Sequence, residues 1–202
     1  MSQIVELMGG RALTHGIALQ VDRSSGNSNK KMYVGGQAHA NTADGSVVGP
    51  STTAESLMES YNIPAGTLVA GSTIRFRAST HTIDQGGDDL TMRFRLGNNN
   101  ADSDQIVFTS AAVTQADNDG FFIDGVIQVR TVGTGGTAVA MFSYQDPDVP
   151  GTAPKFGGSP SFAINTEAAG GLYLTMSGTW DGSHTDNKVK STMFIVDLVN
   201  PV

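Results

Sequence analysis

The sequence predicts an all-β fold: a jelly-roll-like antiparallel β-sandwich with an extended N-terminal arm. Three observations lead there. First, Ser72–Ala78 and Leu90–Leu96 alternate strictly. Ile74, Phe76 and Ala78 share one face of the first segment, and Leu90, Met92, Phe94 and Leu96 share one face of the second. A period of two marks a strand with one buried and one wet face. Second, comparable short segments recur to the end of the chain, separated by turn-forming residues. Third, only 15% of the residues are charged, too few for a solvated helical bundle, while 25 glycines and 7 prolines suit many turns.

The elements follow in order. Residues 1–45 are sparse in apolar side chains and interrupted by glycine, so they read as an arm that orders against a partner or a neighbouring subunit. Residues 46–202 read as the jelly-roll domain. Thr52-Thr53-Ala54-Glu55 has the form of a helix capping box, but Pro50 and the neighbouring β-branched residues favour an extended segment. Asp84–Asp89 is a turn cluster, so the two arginine-bearing segments are expected to pair as a hairpin. Its outer face would carry Arg75, Arg77, Arg93 and Arg95 as one stripe. Gln105–Thr109 is a short strand. Phe121–Val132 alternates, with Phe121, Ile123, Ile127 and Val129 inward. Thr137–Tyr144 is a strand, and Pro147–Pro160 reads as a polar loop. Ser161–Asn165 is a further strand. Leu172, Leu174, Met176 and Trp180 share a face, as do Phe194, Val196 and Leu198 near the end. Eight to ten strands are expected, with no long helix.

Composition bounds the function. Without cysteine there is no disulfide and no thiolate metal site. A formal charge of −7 disfavours a nucleic-acid partner, because a phosphate backbone would be repelled. No apolar run approaches the roughly 20 residues of a membrane-spanning helix, and the first residues lack the basic start and apolar stretch of a secretory signal.

No constellation points to catalysis. His15, His39, His81 and His184 lack metal-ligand spacing. There is no Gly-x-Ser-x-Gly elbow, and no helix follows a glycine-rich loop to cradle phosphate. Asn98–Asp104 is rich in oxygen ligands but lacks the glycine and distal glutamate of a calcium loop, so it reads as a surface turn. Asp117–Gly120 reads as a hairpin turn. Trp180 reads as core, with a sugar-stacking platform as the functional rival. No enzymatic activity, cofactor or metal is expected. The four arginines are expected to find nearby carboxylates, water, or the carboxylates of a neighbouring subunit.

Ile63–Leu68, Gly71–Ala78 and Leu90–Gly97, with Phe122–Arg130 and Leu172–Trp180, resemble recurrent blocks of structural proteins from tailed bacteriophages. These are jelly-roll head decoration (cement) proteins and related tail or fibre domains. The resemblance covers residues 55–199. It implies a homotrimeric capsid decoration subunit made in the host cytoplasm and bound to the outer surface of the head. Its partner there would be the major capsid protein. The alternative is a tail-fibre or adaptor domain recognising a host surface glycan. Under the first reading, Ile4, Leu7, Leu13, Ile17 and Leu19 of the arm, with Arg75, Arg77, Arg93 and Arg95, are the candidate partner-binding residues.

Overall fold

The computed structural model of the protein describes residues 36–84, 87–145 and 154–199. Those residues form eleven strands and no helix. The strands are β1 (Gly36–Ala40), β2 (Ser56–Ile63), β3 (Thr73–Asp84), β4 (Asp89–Gly97), β5 (Gln105–Thr109) and β6 (Val113–Thr114). They continue as β7 (Phe122–Thr131), β8 (Gly136–Gln145), β9 (Lys155–Ile164), β10 (Leu172–Trp180) and β11 (Lys188–Val199).

One sheet has the order β1-β11-β3-β7-β8-β9 and the other β2-β10-β4-β5, with β6 extending β5 along the same edge of β4. Every pairing is antiparallel. Set aside β6, β8 and β9, and the remaining eight strands stand in the orders 1-8-3-6 and 2-7-4-5. That is the jelly-roll topology expected from the sequence. The β8–β9 hairpin is an addition that widens the first sheet to six strands.

The alternation placed the side chains correctly. Ile74, Phe76 and Ala78 are at most 2% exposed, and Leu90, Met92, Phe94 and Leu96 at most 1%. The expected hairpin, however, does not form. β3 belongs to the six-stranded sheet and β4 to the other, so the chain changes sheet between them. The two alternating segments meet face to face instead of edge to edge. The Phe76 and Phe94 rings stack across the core with centroids 4.5 Å apart. Phe94 continues to Phe108 at 5.9 Å and Phe194 at 6.3 Å, and Phe108 to Phe142 at 4.6 Å. Aromatic side chains from β11, β3, β4, β5 and β8 thus form one continuous seam. Such pairs contribute about 0.5–1.5 kcal/mol each beyond the area they bury.

The seam needs room. Gly125 of β7 lies beside Phe76 in register, and a Cβ there would collide with the Phe76 ring. Gly49 is similarly required: it has φ +116°, and a Cβ would meet the Trp180 indole. Trp180 is 1% exposed, which settles its role as core and excludes a sugar-stacking surface on it.

Three further expectations are corrected. Gly36–Ala40, placed in the arm by the sequence reading, is β1 and pairs with β11, so the sandwich extends at least to Gly36. Residues 1–35 lie outside the described residues. The stretch Lys155–Pro160, expected to be loop, is the first half of β9. Proline is tolerated there because β9 is an edge strand, and Pro160 and Ser161 together face Val139 in a bulge. Finally, Asp117–Gly120 joins β6 to β7 in different sheets and is not a hairpin turn.

The stability of the seam is directly testable. Phe76→Ala or Phe94→Ala should each cost about 3–5 kcal/mol in chemical denaturation, because both rings are buried. Arg77→Ala should cost about 1 kcal/mol or less, since its ion pair is exposed.

Candidate functional site

The fold separates the four arginines. Arg75 and Arg77 project from the outer face of the six-stranded sheet and are exposed. Arg93 and Arg95 project from the outer face of the opposite sheet. The single stripe expected from the sequence is therefore two pairs on opposite sides of the sandwich. The reason is that β3 and β4 lie in different sheets: alternation specifies which face a residue takes, but not which strand lies beside it.

The two pairs also differ in chemistry. Arg77 Nε donates to Asp124 Oδ2 at 3.0 Å, with both side chains substantially exposed. Arg75 lies opposite Asp197 in register. On the other sheet, Arg95 makes a two-pronged contact with Glu55. Its Nε donates to Oε1 and its Nη2 to Oε2, each at 2.7 Å. Arg95 Nη1 also donates to the Asp104 carbonyl at 2.8 Å, Arg93 Nη1 donates to Glu55 Oε2 at 3.3 Å, and Ser177 Oγ donates to Glu55 Oε1. The Arg95 and Glu55 side chains are only 10% and 12% exposed.

Burial by itself would raise the Glu55 carboxyl. The hydrogen bonds from Arg95 and Ser177 and the charges of both guanidiniums outweigh it, and hold the group below its ordinary value of 4.5. The Arg95 guanidinium is pushed up in turn, mainly by its hydrogen bond to Glu55. The cluster clasps the segment entering β2 onto β4 and β10. Its ions are mutually satisfied, so it acts as a structural lock.

The oxygen-rich Asn98–Asp104 loop is closed on itself. The buried Asp104 carboxylate accepts from the backbone and side chain of Asn99 and from the Ala101 N–H. No cluster of three or more His, Asp or Glu side chains suited to a metal occurs among the described residues. His39 stacks on Tyr61 at 5.2 Å, and His184 Nδ1 lies 3.7 Å from Asp186. Shallow hollows occur among the described residues. One of about 320 Å³ is lined by residues including Asn118, Asp119, Phe122 and Gln145, and one of about 200 Å³ by residues including Glu55, Asp102 and Ser177.

What the sequence reading missed is apolar. On the outer face of β7–β9, Phe156 is 82% exposed and Met141 73%, with Phe122 at 45% and Val126 at 36%. Val126 and Met141 are directly paired, and Phe156 is one row away opposite Ser143. Phe156 and Met141, on the added hairpin, are the two largest apolar exposures among the described residues. Ile4, Leu7, Leu13, Ile17 and Leu19, the arm residues expected to bind a partner, lie outside the described residues.

The chain matches no protein-family model and no curated protein sequence. Among solved structures it is similar to the metal-free form of lectin I-B4 from Griffonia simplicifolia. The identity is 8%, the match covers 91% of each chain and the TM-score is 0.35. It is also similar to a chain of the infectious bursal disease virus Gx strain at 13% identity and a TM-score of 0.28. That match covers 92% of this chain and 47% of the other, so this chain spans about half of that one. At these scores neither likeness carries an argument about function.

The Glu55 cluster makes a signed pH prediction. A carboxyl that titrates lower folded than unfolded contributes fully above its unfolded value and loses that contribution as the pH falls through the folded value. Glu55→Gln, which leaves two guanidiniums without their carboxylate, should cost roughly 3–5 kcal/mol at pH 7. Urea titrations of both proteins should converge as the pH is lowered below about 4.5. A difference that stayed constant from pH 7 to pH 3 would contradict the assignment.

Proposed function

We propose that this chain is a virion structural protein, a decoration subunit that binds the outer surface of a phage head and stabilises the shell. One observation carries most weight. The jelly roll bears an added hairpin that presents bulky apolar side chains outward, with Phe156 82% and Met141 73% exposed. Exposed apolar groups of this size on a sheet face suit a protein whose work is contact with other proteins. The sequence blocks that resemble phage head decoration proteins lie within the same jelly roll. In this reading the partners are the major capsid protein and further copies of the chain, in a homotrimer. Binding the assembled shell but not its free subunits would favour the shell by mass action.

The arm enters the same proposal. Ile4, Leu7, Leu13, Ile17 and Leu19 can contribute about 1.5–3 kcal/mol each if fully buried against a shell, against about 1–2 kcal/mol of backbone entropy per ordered residue. Added strand pairing would then be needed to make attachment favourable.

A second reading has one observation in its favour. The hollow of about 320 Å³ combines the half-exposed Phe122 ring with Asn118, Asp119 and Gln145, an aromatic surface beside amide and carboxylate groups. That chemistry suits a sugar ring, as a tail-fibre or adaptor domain recognising a host glycan would require.

Gold-labelled antibody against this protein, imaged on intact particles, separates the two. Label over the head is expected, and label confined to the tail would favour the glycan reading. A chain beginning at Gly36 keeps β1 and should remain folded, but should bind particles lacking the protein at least tenfold more weakly than the full chain. Equal binding would show that residues 1–35 are dispensable for attachment.

A further inference from the structure

The hollow of about 200 Å³ beside the Glu55 cluster lies over β10, on the face of its sheet turned away from the core. Its floor is Thr175 and Ser177, 1% and 3% exposed, and its walls are Glu55, Leu57, Ala101 and Asp102. Most of the polar atoms around it are already engaged. The Glu55 carboxylate offers about four acceptor sites. They receive Arg95 twice, Arg93 once and Ser177 once. Thr175 stands in one row between Ser60 on β2 and Arg95 on β4. Both neighbours are committed elsewhere: Ser60 Oγ donates to Asn100 Oδ1 at 2.6 Å, and Arg95 donates to Glu55 and to the Asp104 carbonyl.

Two groups are left over. The Thr175 hydroxyl has no hydrogen-bond partner among the described residues, although the residue is almost wholly buried. Asp102, exposed at the rim, likewise makes no hydrogen bond or ion pair among them. An unpaired hydroxyl at such depth is unfavourable. The charges do not balance either. Asp102 and Asp104 lie near enough to act on Arg95 alongside Glu55, so three carboxylates face the two guanidiniums of Arg93 and Arg95. One negative charge is in excess. Leu57, 39% exposed, and Ala101 add apolar surface at the rim.

We propose that this hollow binds an alkylammonium group. The cation donates to Thr175 Oγ1 and to the Asp102 carboxylate, and its carbon stem lies against Leu57 and Ala101. One positive charge matches the excess negative one. A hydroxyl and a carboxylate on different elements suit the freely turning donors of an ammonium. The planar fork of a guanidinium is matched instead to two oxygens of one carboxylate. The volume is below the roughly 300–1,000 Å³ of sites that enclose whole drug-sized molecules, so the hollow takes a single chain end. Two sources carry this chemistry, a lysine side chain of another protein and a free polyamine. Neither depends on the decoration role proposed above, and binding is measured on the isolated protein.

The probe is n-butylammonium, titrated into the full chain at low salt and followed by two-dimensional amide NMR. Saturable shifts in the millimolar range are expected at the amides of residues 55–57, 101–102 and 175–177. n-Butanol, which has the same stem without the charge, and n-butylguanidinium should each bind at least roughly tenfold more weakly. Asp102→Asn, at an exposed position, should weaken n-butylammonium by at least roughly tenfold and leave the rest of the spectrum unchanged. Thr175→Val keeps the shape of the side chain and should weaken it in the same direction. A single-lysine peptide that binds more tightly than spermidine assigns the site to a protein partner, and the reverse order assigns it to a polyamine. If Thr175→Val failed to fold, Asp102→Asn would decide alone. An absence of saturable shifts would overturn the proposal. So would equal binding of n-butanol or n-butylguanidinium, or an undiminished affinity in Asp102→Asn.

Discussion

The contact between β3 and β4 across the core is the constraint on which the rest of this structure depends. Phe76 and Phe94 stack at 4.5 Å, and that contact requires the two strands to lie in different sheets. Once they do, β11 and β7 can flank β3, while β10 and β5 flank β4. The jelly-roll order follows from those pairings. Gly125 opposite Phe76 and the aromatic chain onward to Phe108 and Phe142 are then local consequences, since each fills or clears the space that the central pair defines.

The same crossing determines the surface. Because successive side chains of a strand point to opposite faces, burying Phe76 and Phe94 sends Arg75 and Arg77 outward on one side and Arg93 and Arg95 outward on the other. The second pair is captured by Glu55 and becomes a clasp for the segment leading into β2. The first pair stays exposed, beside the apolar positions of the added hairpin. Two arginine motifs that look alike in sequence thus have different physical fates, one in a nearly dry ion cluster and one in water.

Much of this was legible in the sequence, and the reasons for the remainder are physical. Face was legible: every inward residue named on β3, β4, β10 and β11 is buried, because period-two alternation encodes burial directly. The bounds of β5 were legible from a short apolar run between polar flanks. Partnership was not, since a strand's pattern is the same whether its neighbour lies beside it or across the core. The role of Glu55 was hidden because its partners stand 38 and 40 residues away. The first half of β9 was hidden by Pro160, which only an edge strand with a bulge accommodates. β1 was hidden because Gly36–Ala40 offers little apolar signal and is held by pairing with β11. Met141 read as an ordinary strand residue and Phe156 as part of a polar loop until the topology put both on an outer face.

The absence of cysteine makes the central claim measurable without background labelling. Spin labels on Arg77→Cys and Arg93→Cys, read by double electron–electron resonance, report whether β3 and β4 lie across the core or side by side. With sheets about 10 Å apart and both labels pointing outward, the distance should exceed roughly 20 Å. In a hairpin the two labels would share one face, and a distance below about 15 Å would contradict the account.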